Sequence, residues 1–280
     1  MKKIAIVCDT SADFSREDAE AMEIIYVPFT IDANGNNYID NYDMDLDSLY
    51  RDMKETREPI RTGCPSPFHY KEAIEKADAE ECFVVTISSK LSGSYNAAAS
   101  AIHAVEEENP DKKIALIDSK SASAGTTNVV AKLYEWIEEG RAFEDIYKAI
   151  KDYADEQRTF FILESMDNLI KNGRIPKLAG KAVNVLNMKP IMKSDNGTIA
   201  LHQINRGFKK SLMRLGDELV KISKEKGTDL ITICYSRAED KAEMLKNRLQ
   251  DEIENAKILM IQTKGLASAY ADYGGIVVAL

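Results

Sequence analysis

The chain has 280 residues, a hydrophobic share of 44% and a formal charge of −9, enough for one large or two ordinary domains with a real core and too acidic for a nucleic-acid face, which shows as a basic excess. Nothing approaches the unbroken apolar length of a bilayer span, and the opening MKKIAIVCDTSADF is too short in apolar residues for a secretory signal. Cys8, Cys64, Cys82 and Cys234 form no CxxC pair and have no histidines at ligand spacing, so a soluble cytoplasmic protein with free thiols, no metal and no cofactor is expected.

Along the chain, Ile4 to Cys8 reads as a short buried strand, followed by the polar loop Asp9-Thr-Ser-Ala-Asp13 and a helix opening at Ser15 with Asp18 three residues on. Ile24 to Phe29 is apolar, Asp45 to Lys54 is helical, and Ser66-Pro67 offers a cap with proline at the first helical position. Cys82 to Ile87 leads into an alanine-rich helix from about Tyr95, and Ile114 to Ile117 ends at Asp118-Ser-Lys-Ser-Ala-Ser-Ala-Gly125. Strands that are apolar throughout and alternate with helices imply an α/β domain with a mainly parallel sheet flanked by helices, spanning residues 1–157.

The second half, residues 158–280, reads as another α/β domain with a mixed sheet. Thr159 to Leu163 is a strand and Leu178 to Leu186 a helix, and Ser-Asp-Asn-Gly is a hairpin turn between Pro190–Lys193 and Thr198–Leu201. Phe208, Leu212, Leu215, Leu219 and Ile222 recur at helical spacing, as do Ala242, Leu245 and Leu249. Leu230 to Cys234, Ile258 to Ile261 and Ile276 to Leu280 supply strands. No linker separates the halves.

Ligands of an open parallel sheet sit beyond the carboxyl ends of its strands. That rule gathers four loops on one rim: Asp9 to Asp13, Arg61 to Ser66, Ser88 to Ser94, and Asp118 to Gly125. Many of their hydroxyls are explained as helix caps. Convergence of several such loops, with uncharged donors at helix starts, suits one carboxylate or phosphate. Asp9, Thr10, Ser11, Ser123 and Gly125 are rim candidates. Two enzymatic motifs fail on spacing. Asp13 follows Asp9 by four positions, where an aspartyl phosphotransfer motif needs two, and Gly173 to Lys181 separates its glycines by six residues, with Ala182 where a P-loop carries Ser or Thr. There is no GxGxxG or GxSxG, and His69, His103 and His202 stand alone.

Taken in order, IAIVCDTSADF, VPFTIDANGNNYID, RTGCPSP, TISSKLSGSYNAA, ALIDSKSASAG, SMDNLIKNGRIPK, KPIM and NRG resemble the DegV family of bacterial fatty-acid-binding proteins, to about residue 210. The resemblance implies two α/β domains with a ligand tunnel between them. It also implies a non-catalytic subunit that buries a long-chain fatty acid and presents its carboxylate to a separate ATP-binding fatty acid kinase subunit. Thr62, Ser92, Gly93 and Ser94 would hold the carboxylate, and Arg206 would face the kinase. The family's C-terminal histidine and Gly-Pro-Gly are replaced here by Gly265 to Gly275, where Ser268 or Tyr270 would supply the missing hydrogen bond. Delivery of an acyl product leaves room for transient contact with a membrane surface. Ile162, Leu163, Leu169, Ile170, Leu178, Val183, Leu186 and Met188 are apolar, and most are expected in the core rather than the tunnel wall. An enzyme acting on a small carboxylate or phosphate held by the same loops, and a regulatory protein with a vestigial pocket, are the competing readings.

Overall fold

The computed structural model describes residues 2–56, 58–175 and 187–280. The expected helix Leu178 to Leu186 lies outside them. Strand β1 (Lys2–Asp9) pairs in parallel with β2 (Ile25–Val27) and β6 (Ala79–Thr86), and β6 pairs in parallel with β7 (Lys113–Asp118), giving the order β2-β1-β6-β7. The two-residue period of a strand sends Ile4, Ile6, Cys8, Phe83 and Val85 to one face. There they pack on helices α5 (Ala124–Glu138) and α6 (Phe143–Glu156). Ala5, Val7, Cys82 and Val84 turn to the other face, against α3 (Pro67–Lys76) and α4 (Ser94–Glu108). Both faces are therefore covered, as continuous apolar strands require.

Local caps follow the sequence. Ser15 accepts from the Asp18 amide at the start of α1 (Arg16–Ala21), Asp45 caps α2 (Leu46–Glu55), and Ser66 and His69 cap each other at α3. The apolar run Ile24 to Phe29 is not one strand. Pro28, which has no amide to give, follows the last residue of β2, and the chain re-enters as β3 (Thr30–Ala33). The positive φ of Asn34 (54°) and Gly35 (78°) turns it back into β4 (Asn36–Ile39). With β5 (Arg61–Gly63) these form a separate antiparallel sheet, order β4-β3-β5.

The later residues build a six-stranded sheet from β8 (Thr159–Ile162), β9 (Met188–Asp195), β10 (Thr198–Arg206), β11 (Leu230–Tyr235), β12 (Lys257–Gln262) and β13 (Ile276–Ala279). Its order is β10-β9-β8-β13-β11-β12, antiparallel except for β11 with β12. The expected turn between β9 and β10 falls at Asn196 and Gly197, both at positive φ. Phe160, Ile162, Ile231, Ile233 and Val278 pack beneath α8 (Phe208–Lys226) and α9 (Glu239–Glu252). Phe161, Leu163, Cys234 and Val277 occupy the opposite face, toward the first sheet. Two short helices, α7 (Asp167–Lys171) and α10 (Gly265–Ala271), lie near this face. Among the described residues no helix is long and apolar enough to cross a membrane.

Candidate functional site

A cavity of about 190 Å³ lies between the two large sheets, closed on one side by β5 and α10. A single water needs only about 10–15 Å³ by the same measure, so the space suits an organic molecule. Phe29, Ile87, Phe161, Leu163, Leu266 and Val277 give it apolar walls. At one end Thr62 Oγ1 and Tyr270 Oη share a hydrogen bond of 2.9 Å, and Ser92 and Gly93 line the same cavity.

The unspent hydrogens at this end determine its chemistry. Of the Thr62 and Tyr270 hydroxyls one donates to the other, leaving one O–H free for a guest. Ser92 Oγ accepts from the Ser94 amide at 3.3 Å, and its proton has no acceptor among the described residues. Arg174 reaches the same place. Its Nε donates to the Leu91 carbonyl (3.3 Å) and one terminal nitrogen to the Asn172 carbonyl (2.6 Å), while the guanidinium lies 6.0 Å from the Tyr270 ring centre. Two hydroxyl donors and a cation facing one end of an apolar cavity fit a carboxylate with an apolar tail.

Other hydroxyls along the cavity are committed to the protein. Ser123 Oγ donates to Asp13 (2.6 Å), Ser194 Oγ to the Lys120 carbonyl (2.8 Å) and Ser11 Oγ to Asp9, while Thr159 donates to Ser121 Oγ (2.7 Å), whose own proton goes to the Ala122 carbonyl (3.4 Å). They line the cavity without offering it a free donor.

Thr62, Ser92, Gly93, Tyr270, Ser11 and Ser123 are brought together around the cavity. Ser94 is not. It is fully buried, and its hydroxyl donates to Asp9 at 2.7 Å beside Tyr70. Asp9 itself is enclosed, accepting also from the Ile87 amide (3.0 Å). Burial raises its pKa above the usual carboxylate range, an effect partly offset by the hydrogen bonds from Ser11 and Ser94. Asp9 thus fastens the loops around the cavity to one another. Thr10 Oγ1 accepts from the Phe29 amide at 3.1 Å, and Gly125 packs so closely that a Cβ there would meet Ser121 Oγ at 2.1 Å. Of the two candidates for the missing histidine bond, Ser268 turns away to Thr263 (2.7 Å), and Tyr270 is the one at the cavity. Arg206 ends β10, exposed, and does not line the cavity.

Leu163 and Leu169 line the cavity, whereas Ile162 faces the helices of the second sheet. Leu178, Val183 and Leu186 fall outside the described residues, as does most of the Gly173 to Lys181 segment. The histidines serve elsewhere: His69 in the α3 cap, His103 beside Glu107, His202 beside Glu218. Among the described residues no group of His, Cys, Asp and Glu could hold a metal ion. Arg174 is the charged residue among the cavity lining, and sequence reasoning gave it no role. The signal was its place in the motif SMDNLIKNGRIPK, next to a glycine at positive φ (Gly173, 71°).

Two sheets enclosing a cavity with a donor-lined end define an α/β ligand-binding protein. The DegV family model matches residues 3–279, and the chain belongs to that family. A DegV domain-containing protein of Streptococcus pneumoniae is 36% identical over 274 residues, 97% of this chain and 96% of its own. A DegV-family crystal structure from Ruminococcus gnavus, refined with vaccenic acid, superposes with a TM-score of 0.93 at 32% identity over the whole of both chains. The fatty acid kinase B3 protein of Streptococcus pneumoniae, loaded with linoleic acid, superposes with a TM-score of 0.90 at 33% identity over 99% of this chain and 98% of that one.

Proposed function

We propose that the chain binds a long-chain fatty acid in the cavity between its sheets and, without chemistry of its own, presents the carboxylate to a separate ATP-binding kinase subunit in the cytoplasm. Thr62, Ser92, Tyr270 and Arg174, with the Gly93 backbone close by, hold the carboxylate. Residues 1–157 supply Thr62, Ser92 and Gly93 to the head group, and residues 158–280 supply Arg174 and Tyr270 together with much of the wall around the tail. The observation that carries this reading is the free donor of the Thr62–Tyr270 pair at the end of an apolar cavity. The fatty acids in the related structures from R. gnavus and S. pneumoniae support it.

Magnitudes divide the labour. Burying roughly 15 methylenes at about 0.8 kcal/mol each yields on the order of 12 kcal/mol gross, whereas each hydrogen bond to a charged head group adds about 1.5–3 kcal/mol. The tail supplies affinity, and the head contacts fix which end faces outward. Arg206, exposed at the end of β10, faces the kinase in this reading. The test is solvent extraction of the purified protein followed by mass analysis. A stoichiometric long-chain fatty acid is expected, and an empty protein or a small polar ligand would overturn the assignment.

A further inference from the structure

Three consecutive amides at the start of α10 donate to two buried carboxylates from the first half of the chain. The Lys264 amide reaches Asp13 Oδ1 at 2.7 Å, and the Gly265 and Leu266 amides reach the two oxygens of Asp40 at 2.8 and 3.0 Å. Both aspartates are fully buried. Their nearby countercharge is the Lys264 ammonium, which lies 3.5 Å from the Tyr26 ring centre and 5.0 Å from that of Tyr42.

The clamp is directed. Gly265 has no room for a side chain: a Cβ would meet Asp40 Oδ1 at 2.7 Å and the Met44 methyl at 2.7 Å. Asp40 follows β4, and Thr62 sits in β5 of the same small sheet. That sheet therefore grips α10 at both ends of the helix, through Asp40 at Gly265 and Leu266 and through Thr62 at Tyr270. Between these points the helix contributes Leu266 and Ala267 to the cavity wall. Buried charges add little stability that well-packed apolar groups could not match, while they fix geometry where every hydrogen bond is satisfied.

We propose that Asp40, assisted by Asp13 and Lys264, is a positioning residue: it holds α10 against the cavity so that Tyr270 meets Thr62, and so sets how long an acyl ligand stays bound. This rests on the fatty-acid reading of the cavity. The test uses the full chain loaded with a fluorescent polyene fatty acid, with hydrogen exchange followed in parallel. Asp40→Asn should speed probe dissociation roughly tenfold or more, the range for losing a hydrogen bond to a charged group. Exchange should rise in residues 265–271 and stay unchanged in β11. Gly265→Ala, which pushes on the same contact from the other side, should give the same pattern if Asp40→Asn folds poorly. Unchanged dissociation in both variants, or protection lost evenly across the molecule, would overturn the proposal. A wild-type chain that takes up no probe would overturn the fatty-acid reading and this inference with it. Unchanged affinity in Thr62→Val and Tyr270→Phe would remove only the head-group assignment, and the Asp40 dissociation rate would still decide whether the clamped helix retains the tail.

Discussion

The Ser94 hydroxyl donates to the Asp9 carboxylate across 2.7 Å, joining the first turn of α4 to the carboxyl end of β1. Its neighbour but one, Ser92, keeps its proton free at the cavity. Two serines two positions apart thus have different duties, and substitution should separate them. Ser94→Ala leaves a buried carboxylate short of a donor and should cost about 1–3 kcal/mol of stability, measured by urea unfolding. Ser92→Ala should leave stability unchanged and weaken fatty-acid binding.

Thr62→Val and Tyr270→Phe each remove one hydroxyl of the pair facing the ligand. Each should weaken binding of a long-chain fatty acid by about tenfold, the equivalent of one hydrogen bond to a charged group, and binding of the matching fatty alcohol far less. Equal losses for acid and alcohol in a fluorescence titration would argue against a carboxylate at this end.

Acid should stabilise the fold through Asp13. Burial pushes its pKa from 3.8 up to about 6, so the folded chain holds the proton more tightly than the unfolded one. The stability this group contributes is full below about pH 4 and lost as pH rises through about 6. Asp9 and Asp40, also raised by burial, act with the same sign. Urea unfolding of the lipid-free protein across this window should show stability falling with rising pH. Asp13→Asn should shallow the slope, and an unaltered slope would contradict the assignment.

Arg206 is exposed and does not line the cavity. Arg206→Glu should leave lipid content and melting temperature unchanged while slowing phosphorylation of the bound acid by a purified kinase subunit. A drop in lipid content instead would place its role in binding.

Much of this was legible in the sequence because it is local. The apolar runs at Ile4–Cys8 and Cys82–Ile87, the caps at Ser15 and Ser66, and the turn at Asn196-Gly197 each announce themselves within a few residues. The small antiparallel sheet is harder to read. Its Asn34-Gly35 turn is a hairpin signal, but the strands on either side are only four residues long, and β5 joins β3 from beyond the whole of helix α2. Ser92 and Ser94 carry the same chemistry in the same motif, and only the position of Asp9 distinguishes them. The clamp of Asp40 on Gly265 spans 225 positions, beyond the reach of any pattern of spacing.

Helix α5 belongs to both sheets at once. From Ala124 to Val130 every residue is buried, and the helix touches β1 and β6 on one side and β11 and β13 on the other. A rod wedged into two interiors couples their melting: neither half can loosen without stripping solvent-shy surface from its neighbour. Calorimetry should therefore record one cooperative endotherm, and a cut of the backbone after α6 should yield pieces that fold only when mixed.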